Sequence, residues 1–248
     1  MQASVTIAVP SLNQAPYLDA ALRSIFDQEV ACEVYVMDGG STDGTLDVIR
    51  SWEGRLAGWH SGPDGGQSDA INRGIASGTA PYVTWLNSDD LLLEGALPRL
   101  LDALARQPEA PACYGRTYDL DEATGERKAT WVEPFAEDRL ALRCIISQPG
   151  TLIRRPVWEA VGGLDPALHM AMDYDLWWRI YRRFGAPQFV DAFVAVNRVH
   201  GQTKTSTRRR AHYREAMAVV RRHYGRVPIK WWLAQPYQIW FRSGFREL

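Results

Sequence analysis

Two adjacent aspartates, Asp89 and Asp90, end the stretch LNSDD, which follows the apolar residues PYVTW. Neighbouring carboxylates repel each other, and burial makes each one harder to ionise, so such a pair requires a cation, several hydrogen-bond donors or open water. Asp, Asn and Ser are also common turn residues. The pair therefore indicates either a cation site or a solvated turn, and the rest of the sequence must decide.

Polar clusters follow four apolar segments in the first half of the chain. They are PSLN, DGGSTDG, PDGGQSD and NSDD. In an open α/β sheet, ligands bind outside the carboxyl ends of the strands, where helix N-termini expose N–H groups. We expect the four clusters to meet at one such edge and form a single binding site, rather than four separate solvated turns.

Neither glycine-rich cluster matches a common phosphate-binding motif. The residues GGSTDG lack the G-x-G-x-x-G spacing of dinucleotide-binding folds and the Lys-Ser/Thr ending of a P-loop. A Rossmann-type dehydrogenase and an NTPase are therefore disfavoured.

Strands and amphipathic helices alternate around these clusters. The predicted strands are VTIAV, EVYVM, LAGWHS and YVTWL. The predicted helices are YLDAALRSIFDQ, STDGTLDVIRSW with Ser41 or Thr42 as its N-cap, GQSDAINRGIASG and EGALPRLLDALARQ. Four consecutive strand-helix units predict an α/β fold with an open, mostly parallel sheet and helices on both faces.

The second half is less regular, and we predict an elaborated C-terminal half within one domain. ACYGRTYDL and KATWV are predicted strands joined by the turn DEATGE, and DYDLWWRIYRRFG is an amphipathic helix that ends at Gly185. The aromatic residues of this helix are assigned to core packing.

Composition places the chain among ordinary globular proteins, with 46% hydrophobic and 23% charged residues. Its three cysteines are widely spaced and fit neither a disulfide framework nor a metal motif, which favours a reducing compartment. The sequence has no basic N-terminal leader and no apolar run of about 20 residues. We therefore predict a cytoplasmic protein.

Charge is unevenly distributed along the chain. The net charge is −1, but residues 198–248 hold 12 Lys and Arg against 2 Asp and Glu, whereas the preceding residues hold 16 against 27. The final segment, IKWWLAQPYQIWFRSGFREL, combines aromatic and basic residues. It is predicted either to contact the headgroups of an anionic membrane or to pack on protein, and the sequence favours neither.

The motifs VPSLNQAPYLDAALRSIFDQ, VMDGGSTDGT, GPDGGQSDAINRG and LNSDD, in this order, resemble the family 2 glycosyltransferases of the GT-A fold. The resemblance is closest over residues 4–95 and continues more loosely through QPGTLIRR and MDYDLWWR to NRVHGQTKTS. It implies an inverting transferase that moves a sugar from a nucleoside diphosphate, with UDP favoured, to a hydroxyl of a glycan or lipid-linked glycan in surface polysaccharide or glycolipid synthesis. The implied division is a GT-A domain over 1–227, with a nucleotide-sugar-binding half (1–110) and an acceptor-binding half (111–227), followed by the tail 228–248.

The resemblance also implies roles for individual residues. The base and ribose would lie against Pro10, Ser11 and Asn13, and the ring N–H of uracil or thymine would donate to Asp38. The remaining donor-binding residues would be Gln67, Asp69, Asn72, Asn87, Ser88 and Asp89. Gln67 has an alternative role as a cap of its own helix.

A divalent cation, Mn²⁺ or Mg²⁺, would be held by Asp89 and completed by His200. Asn87 replaces the first acid of the family's DXD motif, and an amide is a poorer ligand for a hard cation than a carboxylate. Asp90 would orient the loop through hydrogen bonds. Lys204 and Arg208–Arg210 would either close over the diphosphate or form a solvated basic face.

Within MDYDLWWR, Asp173 is the predicted general base, and Met172 replaces the first acid of the family's acidic pair. Asp175 points to a different helix face and is predicted to form a surface ion pair with Arg179.

Two other functions are less compatible with the sequence. A sugar-nucleotide nucleotidyltransferase needs a glycine-rich, basic signature near its N-terminus, which PSLNQAPYL lacks. A non-catalytic or nucleic-acid-binding module leaves the four polar clusters unexplained, although fold resemblance alone does not exclude a catalytically inactive relative. We predict no nucleic-acid partner, and the oligomeric state stays open.

Overall fold

The structure is a computed structural model that describes residues 2–201, 203 and 208–236. Its strands are β1 Val5–Ser11, β2 Cys32–Asp38, β3 Gly58–Ser61, β4 Tyr82–Trp85, β5 Leu91–Leu92, β6 Ala112–Asp121, β7 Arg127–Ala129, β8 Thr151–Arg154 and β9 Gln188–Val199. Its helices are α1 Ala15–Phe26, α2 Thr45–Trp52, α3 Gln67–Ala76, α4 Ala96–Arg106, α5 Glu137–Leu142, α6 Arg155–Val161, α7 Met172–Phe184, α8 Arg209–Tyr224 and α9 Ile229–Pro236, with a 3-10 turn at Gln148–Gly150.

All nine strands belong to one sheet, in the order β3-β2-β1-β4-β8-β6-β9-β5, with β7 beside β6. The strands from β3 to β4 pair in parallel. β8 enters antiparallel between β4 and β6, and β9 then pairs in parallel with β6. The predicted α/β architecture is confirmed, and its run of four parallel strands, β3-β2-β1-β4, lies in the N-terminal half.

Strand register brings the polar clusters to one edge of the sheet. Ser11 pairs with Asp38, and Asp38 pairs with Ser61, so β1, β2 and β3 end at the same level. β4 continues this edge, because the N–H of Leu86 donates to the carbonyl of Ala8 at 3.0 Å. The predicted convergence of the four clusters is therefore present.

Two apolar clusters cover the faces of the sheet. Ile7 and Val9 pack with α1, α2 and α4, whereas Ala8 packs on the opposite face with α3. Helix α3 lies so close to β1 that a Cβ on Gly74 would be only 2.7 Å from the Cβ of Ala8. The predicted small-residue face of α3 is thus required by close packing.

Two local predictions are wrong. Helix α2 begins at Thr45, after Gly44 with a left-handed φ of 96°, so neither Ser41 nor Thr42 is its N-cap. The predicted strand KATWV is also too long, because only Arg127–Ala129 pair with β6. At the first of these places, the contacts of Ser41 and Thr42 with Asp38 and Asn13 replace the predicted helix start.

Tyr174, Trp177 and Trp178 of α7 form core, as the sequence predicts, whereas Tyr181 is only partly buried against the core and Phe184 is 38% exposed. Tyr174, Trp177 and Trp178 are almost fully buried, and the ring of Trp177 stacks on Trp85 of β4 at 6.3 Å between centroids. The helix ends at Gly185, which has a left-handed φ of 96°.

The beginning of the C-terminal segment packs on the domain. Trp231 is 9% exposed, and its indole N–H donates to the carbonyl of Ala141 at 2.8 Å. Trp232 on the same helix is exposed. Tyr237, Trp240, Phe241 and Phe245 lie outside the described residues, as does Lys204. None of the helices in the described part of the chain has the length and apolar character needed to cross a bilayer.

Candidate active site

The cluster after β2 is organised around a buried carboxylate, Asp38. Its Oδ2 accepts hydrogen bonds from the N–H groups of Gly40 (3.1 Å) and Ser41 (3.0 Å) and from the hydroxyl of Ser61 (2.6 Å). Its Oδ1 accepts from the Ser41 hydroxyl. Asp38 thus fixes the loop between β2 and α2 and ties it to the end of β3, and since Oδ1 keeps acceptor capacity, its role in base binding stays a prediction.

The loop after β1 is joined to this cluster. Asn13 has a left-handed φ of 53°, its N–H donates to the Ser41 hydroxyl at 2.7 Å, and its Oδ1 accepts from the N–H of Thr42 at 2.9 Å. Pro10 and Ser11 are buried at the end of β1. Within the described part of the chain, the Oγ of Ser11 has no hydrogen-bond partner, as expected of a polar group that awaits a ligand.

Sequence reasoning missed Asp43 and Thr45, which complete this junction. Asp43 accepts from the N–H of Ala15 at 3.1 Å and from the hydroxyl of Thr45 at 2.6 Å, and Thr45 accepts from the N–H of Gln14 at 2.9 Å. The available signal is the D-x-T spacing, which is typical of a side-chain turn.

The third and fourth clusters meet through Gln67 and Asn87. The amide of Gln67 donates to the Oδ1 of Asn87 at 2.8 Å, and no side-chain capping bond is present at the start of α3. Asn87 in turn donates to Asp90 at 2.9 Å. Gln67 therefore joins the third cluster to the fourth, and its alternative role as a helix cap stays a prediction.

Two predicted donor-binding residues make structural contacts within the protein. The carboxylate of Asp69 accepts from the N–H of Gly65 at 3.1 Å. The amide of Asn72 donates to the carbonyl of Leu164 and accepts from its N–H, both at 2.9 Å. Asn72 thereby ties α3 to the segment that precedes α7, and Ser88 is buried next to Asp89. Direct contacts of these residues with a donor stay predictions.

Asp89 and His200, 111 positions apart in the sequence, are brought together. The Oδ2 of Asp89 lies 3.1 Å from the Nε2 of His200, and the imidazole stacks on Tyr17 at 4.5 Å between centroids. Two ligands at right angles, each about 2.1 Å from an octahedral cation, lie about 3 Å apart, so the pair fits the predicted cation. Within the described residues, no group of three or more His, Cys, Asp or Glu side chains suits a metal ion.

Asp90 turns away from this pair into the protein. It is 5% exposed and accepts from the amide of Asn87 and, at 3.3 Å, from the N–H of Arg198. Burial, and then the neighbouring charge of Asp89, raise the pKa of Asp90 well above its usual value. Hydrogen-bond donors and a raised pKa thus relieve the repulsion between the two aspartates.

Arg198 of β9, another residue that sequence reasoning missed, holds the LNSDD loop in place through hydrogen bonds. Its Nε donates to the carbonyl of Asp89 at 2.5 Å, and its Nη2 donates to the carbonyl of Tyr17 at 3.0 Å. The guanidinium is nearly buried, which is costly for an arginine unless its donors are used. The signal in the sequence is a single cation within the apolar strand FVAVNRV.

Asp173 lies in the first turn of α7, as predicted, close to the start of α3. The preceding residue, Met172, accepts a contact from the hydroxyl of Ser68 at 2.9 Å, next to Gln67. The Oδ1 of Asp173 accepts from the N–H of Tyr174 at 2.8 Å. Burial raises the pKa of Asp173 to about 6, a value suited to a general base near neutral pH.

Glu215 of α8 positions the approach to this helix. Its Oε2 accepts hydrogen bonds from three consecutive N–H groups, those of His169 (3.0 Å), Met170 (2.7 Å) and Ala171 (3.1 Å). These donors belong to the turn that leads into Asp173. No local pattern signals this contact, because it joins segments more than 40 residues apart.

The predicted ion pair between Asp175 and Arg179 is present, but the prediction that it lies on the surface is wrong. Asp175 is 1% exposed and contacts Arg179 at 2.6 Å, His223 at 2.8 Å and Arg222 at 3.3 Å. Burial alone would raise the pKa of Asp175, but hydrogen bonds from His223 and Arg179 outweigh it and lower the pKa. Asp175 therefore joins α7 to α8 and is a separate group from Asp173.

Residues 6–157 match the sequence profile of a family described as glycosyl transferase family 2. The chain belongs to this family. A relative named PGL/p-HBAD biosynthesis glycosyltransferase, from Mycobacterium tuberculosis, is 29% identical over 196 residues, which span 77% of this chain and 73% of the relative. An uncharacterized glycosyltransferase of Rickettsia typhi is 25% identical over 213 residues, 82% of this chain and 66% of that one.

Solved structures of other glycosyltransferases share the fold. S. aureus TarS 1-349 in complex with UDP superposes with a TM-score of 0.71 at 16% identity, over 99% of this chain and 74% of the TarS 1-349 chain. The mannosyltransferase PcManGT from Pyrobaculum calidifontis, in complex with GDP-Man and Mn²⁺, superposes with a TM-score of 0.70 at 21% identity, over 96% and 70%. The predicted GT-A fold of this family 2 glycosyltransferase is confirmed.

Proposed function

We propose that this glycosyltransferase is an inverting, metal-dependent enzyme that moves a sugar from a nucleoside diphosphate, with UDP favoured, to a hydroxyl of a glycan or lipid-linked glycan. One observation carries the proposal. The start of α3 contacts the neighbours of both groups: Gln67 donates to Asn87 of the LNSDD loop, which contains Asp89, and Ser68 contacts Met172, which precedes Asp173. Cation ligands and a general base near the same helix end are the two groups that this reaction requires.

The donor side of the reaction rests on the loops after β1 to β4. Asp89 and His200 would hold Mn²⁺ or Mg²⁺, which would neutralise the charge of the departing diphosphate. Arg198 keeps the carbonyl of Asp89 in place and so fixes the carboxylate that binds the cation. The buried hydroxyl of Ser11 and the loop around Asp38 would bind the nucleoside.

The acceptor side rests on α7. In its ionised form, Asp173 would take the proton of the acceptor hydroxyl as that oxygen attacks the anomeric carbon. A single attack from the face opposite the diphosphate inverts the configuration at this carbon. The turn held by Glu215 positions the base, and the buried ion cluster at Asp175 keeps α7 against α8.

Ligands named for the solved relatives support this choice of donor class. TarS is described in complex with UDP and with UDP-GlcNAc, and PcManGT with GDP-Man and Mn²⁺. The mycobacterial relative is named for PGL/p-HBAD biosynthesis. These descriptions favour a nucleotide sugar as donor and Mn²⁺ as a suitable cation for tests, and the acceptors to be tried are glycans and lipid-linked glycans.

Two measurements test the proposal. UDP with Mn²⁺ should raise the melting temperature by several degrees, whereas duplex DNA should not, because ligand binding to the folded state alone stabilises it. A panel of UDP-, dTDP- and GDP-sugars should then reveal slow hydrolysis of one donor. Binding of UDP without hydrolysis of any donor would favour a non-catalytic relative. Formation of a nucleotide sugar from a nucleoside triphosphate would favour a nucleotidyltransferase.

The remaining assignments are part of the proposal. They are the halves 1–110 and 111–227, the tail 228–248, and a location in the cytoplasm, including the inner face of the membrane. Contact of the tail with anionic lipid would bring Asp173 to an acceptor confined to the bilayer surface.

A further inference from the structure

Trp131 differs from the tryptophans of the core. It lies in the connection between β7 and α5, and 57% of its surface is exposed, whereas Trp85, Trp177 and Trp178 are fully buried. Exposing an indole costs hydrophobic free energy that burial would recover. A single exposed aromatic is common on protein surfaces, so its contacts and its position decide whether it has a role.

The contacts of Trp131 restrain its ring. The guanidinium of Arg143 lies over the indole, with Cζ 4.5 Å from the ring centroid. Behind it, Glu133 is held by Arg139 through two hydrogen bonds of 2.8 Å and 3.1 Å. The pKa of Glu133 is lowered mainly by Arg139 and also by a hydrogen bond from the Trp131 side chain. The exposed ring is therefore held in place before any partner arrives.

On one side, hydrogen bonds connect the segment that contains Trp131 to the LNSDD loop of the proposed donor site. The adjacent Thr130 and the more distant Ser147 both accept from the amide of Asn197, each at 3.2 Å. Gln148, which follows Ser147, donates to the carbonyl of Trp85 at 2.7 Å and contacts Asn87. Thr130, the residue before Trp131, is thus linked to the LNSDD loop through Asn197 and the adjacent residues Ser147 and Gln148.

On the other side, Trp131 lies near the base. The hydroxyl of Tyr174, the residue after Asp173, donates to the carbonyl of Leu140, three residues before Arg143. The segment that carries the guanidinium therefore packs on the first turn of α7, which holds the carboxylate proposed to deprotonate the acceptor. In agreement, burial and then the charge of Asp173 raise the thiol pKa of Cys144, the residue after Arg143. Segments next to Trp131 thus contact both parts of the proposed site.

We propose that Trp131 is an acceptor-binding platform, on which the apolar face of a pyranose ring of a glycan stacks while its hydroxyl reaches Asp173. This inference rests on the proposed function and extends it to the acceptor. An indole offers a broad, rigid apolar face and loses little conformational entropy on binding, which suits the C–H face of a sugar. Arg143 positions the indole from the other side.

Ligand-observed NMR of wild-type protein with UDP, Mn²⁺ and a panel of methyl α- and β-pyranosides tests the platform directly, because it requires no turnover. At least one glycoside should bind, and Trp131→Ala should weaken its binding by about threefold to tenfold, the equivalent of one aromatic contact. Trp131→Phe should restore most of the affinity. Trp232→Ala is the matched control, since Trp232 is also 57% exposed, and it should leave glycoside binding unchanged.

The outcomes separate this inference from the proposed function. Donor hydrolysis by Trp131→Ala at the wild-type rate, with weakened glycoside binding, supports the platform. No glycoside binding to the wild type, or equal binding to Trp131→Ala, overturns it even if donor hydrolysis is intact. Loss of binding to anionic vesicles in Trp131→Ala without a change in glycoside binding would make the residue a membrane contact instead. Absence of donor hydrolysis in the wild type would count against the proposed function itself.

Discussion

The two halves of the sheet hold their functional residues in different ways. In the parallel half, Asp38 is bound by donors from its own loop and from the next strand, all within 23 residues of it. In the mixed half, the turn before Asp173 is held by Glu215, more than 40 residues away, and His200 meets Asp89 across 111 positions. The loops proposed to bind the nucleoside are held by contacts within and between neighbouring strand ends, whereas the proposed base and the Asp89–His200 pair depend on contacts between distant segments.

This difference predicts how substitutions in each half of the sheet affect the geometry of the site. A local turn keeps its geometry when a distant contact is lost, because its hydrogen bonds close within the loop. When a contact joins distant segments, by contrast, loss of either partner changes the position of the other. Substitutions in the mixed half should therefore change transfer through geometry as well as through chemistry, and donor binding should be the readout that separates the two halves.

The largest effect is expected for Asp173→Asn. Transfer should fall about 100-fold or more, since the amide cannot accept the acceptor's proton, while UDP affinity should stay within about twofold of wild type. The melting temperature at pH 7 should not fall, because burial disfavours the ionised form of this carboxyl. Transfer above a tenth of the wild-type rate would assign the base to another residue.

Asp89→Ala should affect donor binding rather than deprotonation of the acceptor. Removing the anionic ligand should weaken Mn²⁺-dependent UDP binding by about tenfold or more, measured by calorimetry with and without the cation. His200→Ala should weaken it less, because imidazole is the neutral member of the pair. Equal UDP affinity of Asp89→Ala and wild type under both conditions would contradict the cation site.

Sequence motifs were sufficient for the parallel half because its geometry is local. A β-branched strand followed by a turn cluster and an amphipathic helix determines where PSLN, DGGSTDG and NSDD lie, and their order carried the family resemblance. Asp173 was placed correctly for the same reason, since it begins a helix with a clear pattern. The failures at Ser41 and Thr42 occurred where the loop is bound elsewhere: the Ser41 hydroxyl donates to Asp38 and accepts from the N–H of Asn13, and the N–H of Thr42 donates to the side chain of Asn13.

The mixed half was less predictable because its partners are distant in sequence. Asp175 has the i, i+4 spacing to Arg179 that is typical of an exposed pair, but α8 covers it and adds His223. Glu215 and Arg198 carry no motif, and their roles depend on which strand or turn packs beside them. Single-sequence patterns contain no information on such packing.

Lowering the pH should reduce transfer through Asp173 with little change in donor binding. With a pKa of about 6, the carboxyl is ionised at pH 7, and the active form is lost as the pH falls through that value. The rate should drop about tenfold per pH unit well below 6. A profile of kcat against pH between 4.5 and 8 measures this, with UDP affinity at each pH as the control. A kcat that does not change across pH 6 would show that Asp173 is not the general base.

A smaller effect on transfer is expected for Glu215→Gln. The amide oxygen can still accept from the three N–H groups, but it loses the charge that strengthens these bonds, so the turn before Asp173 should loosen. We expect kcat to fall about threefold to tenfold with UDP affinity unchanged. Glu159→Gln, on an exposed glutamate of α6, is the matched control and should leave both values unchanged. Equal losses in the two variants would show that Glu215 has no special role.

The smallest effect on transfer is expected in α9, where adjacent tryptophans separate packing from membrane contact. Trp231→Ala should lower the free energy of unfolding by about 3–5 kcal/mol, because it removes a buried indole and leaves the carbonyl of Ala141 without its donor. Trp232→Ala should change stability by less than about 0.5 kcal/mol, since its side chain is exposed.

If α9 also contacts anionic lipid, Trp232→Ala should weaken co-sedimentation with phosphatidylglycerol vesicles at low salt while transfer to a water-soluble acceptor stays constant. Chemical denaturation and vesicle sedimentation of the two variants measure both roles, and they do so without the deletion of residues 229–248, which would remove Trp231 from the core. Unchanged vesicle binding by Trp232→Ala would leave α9 as a packing element alone.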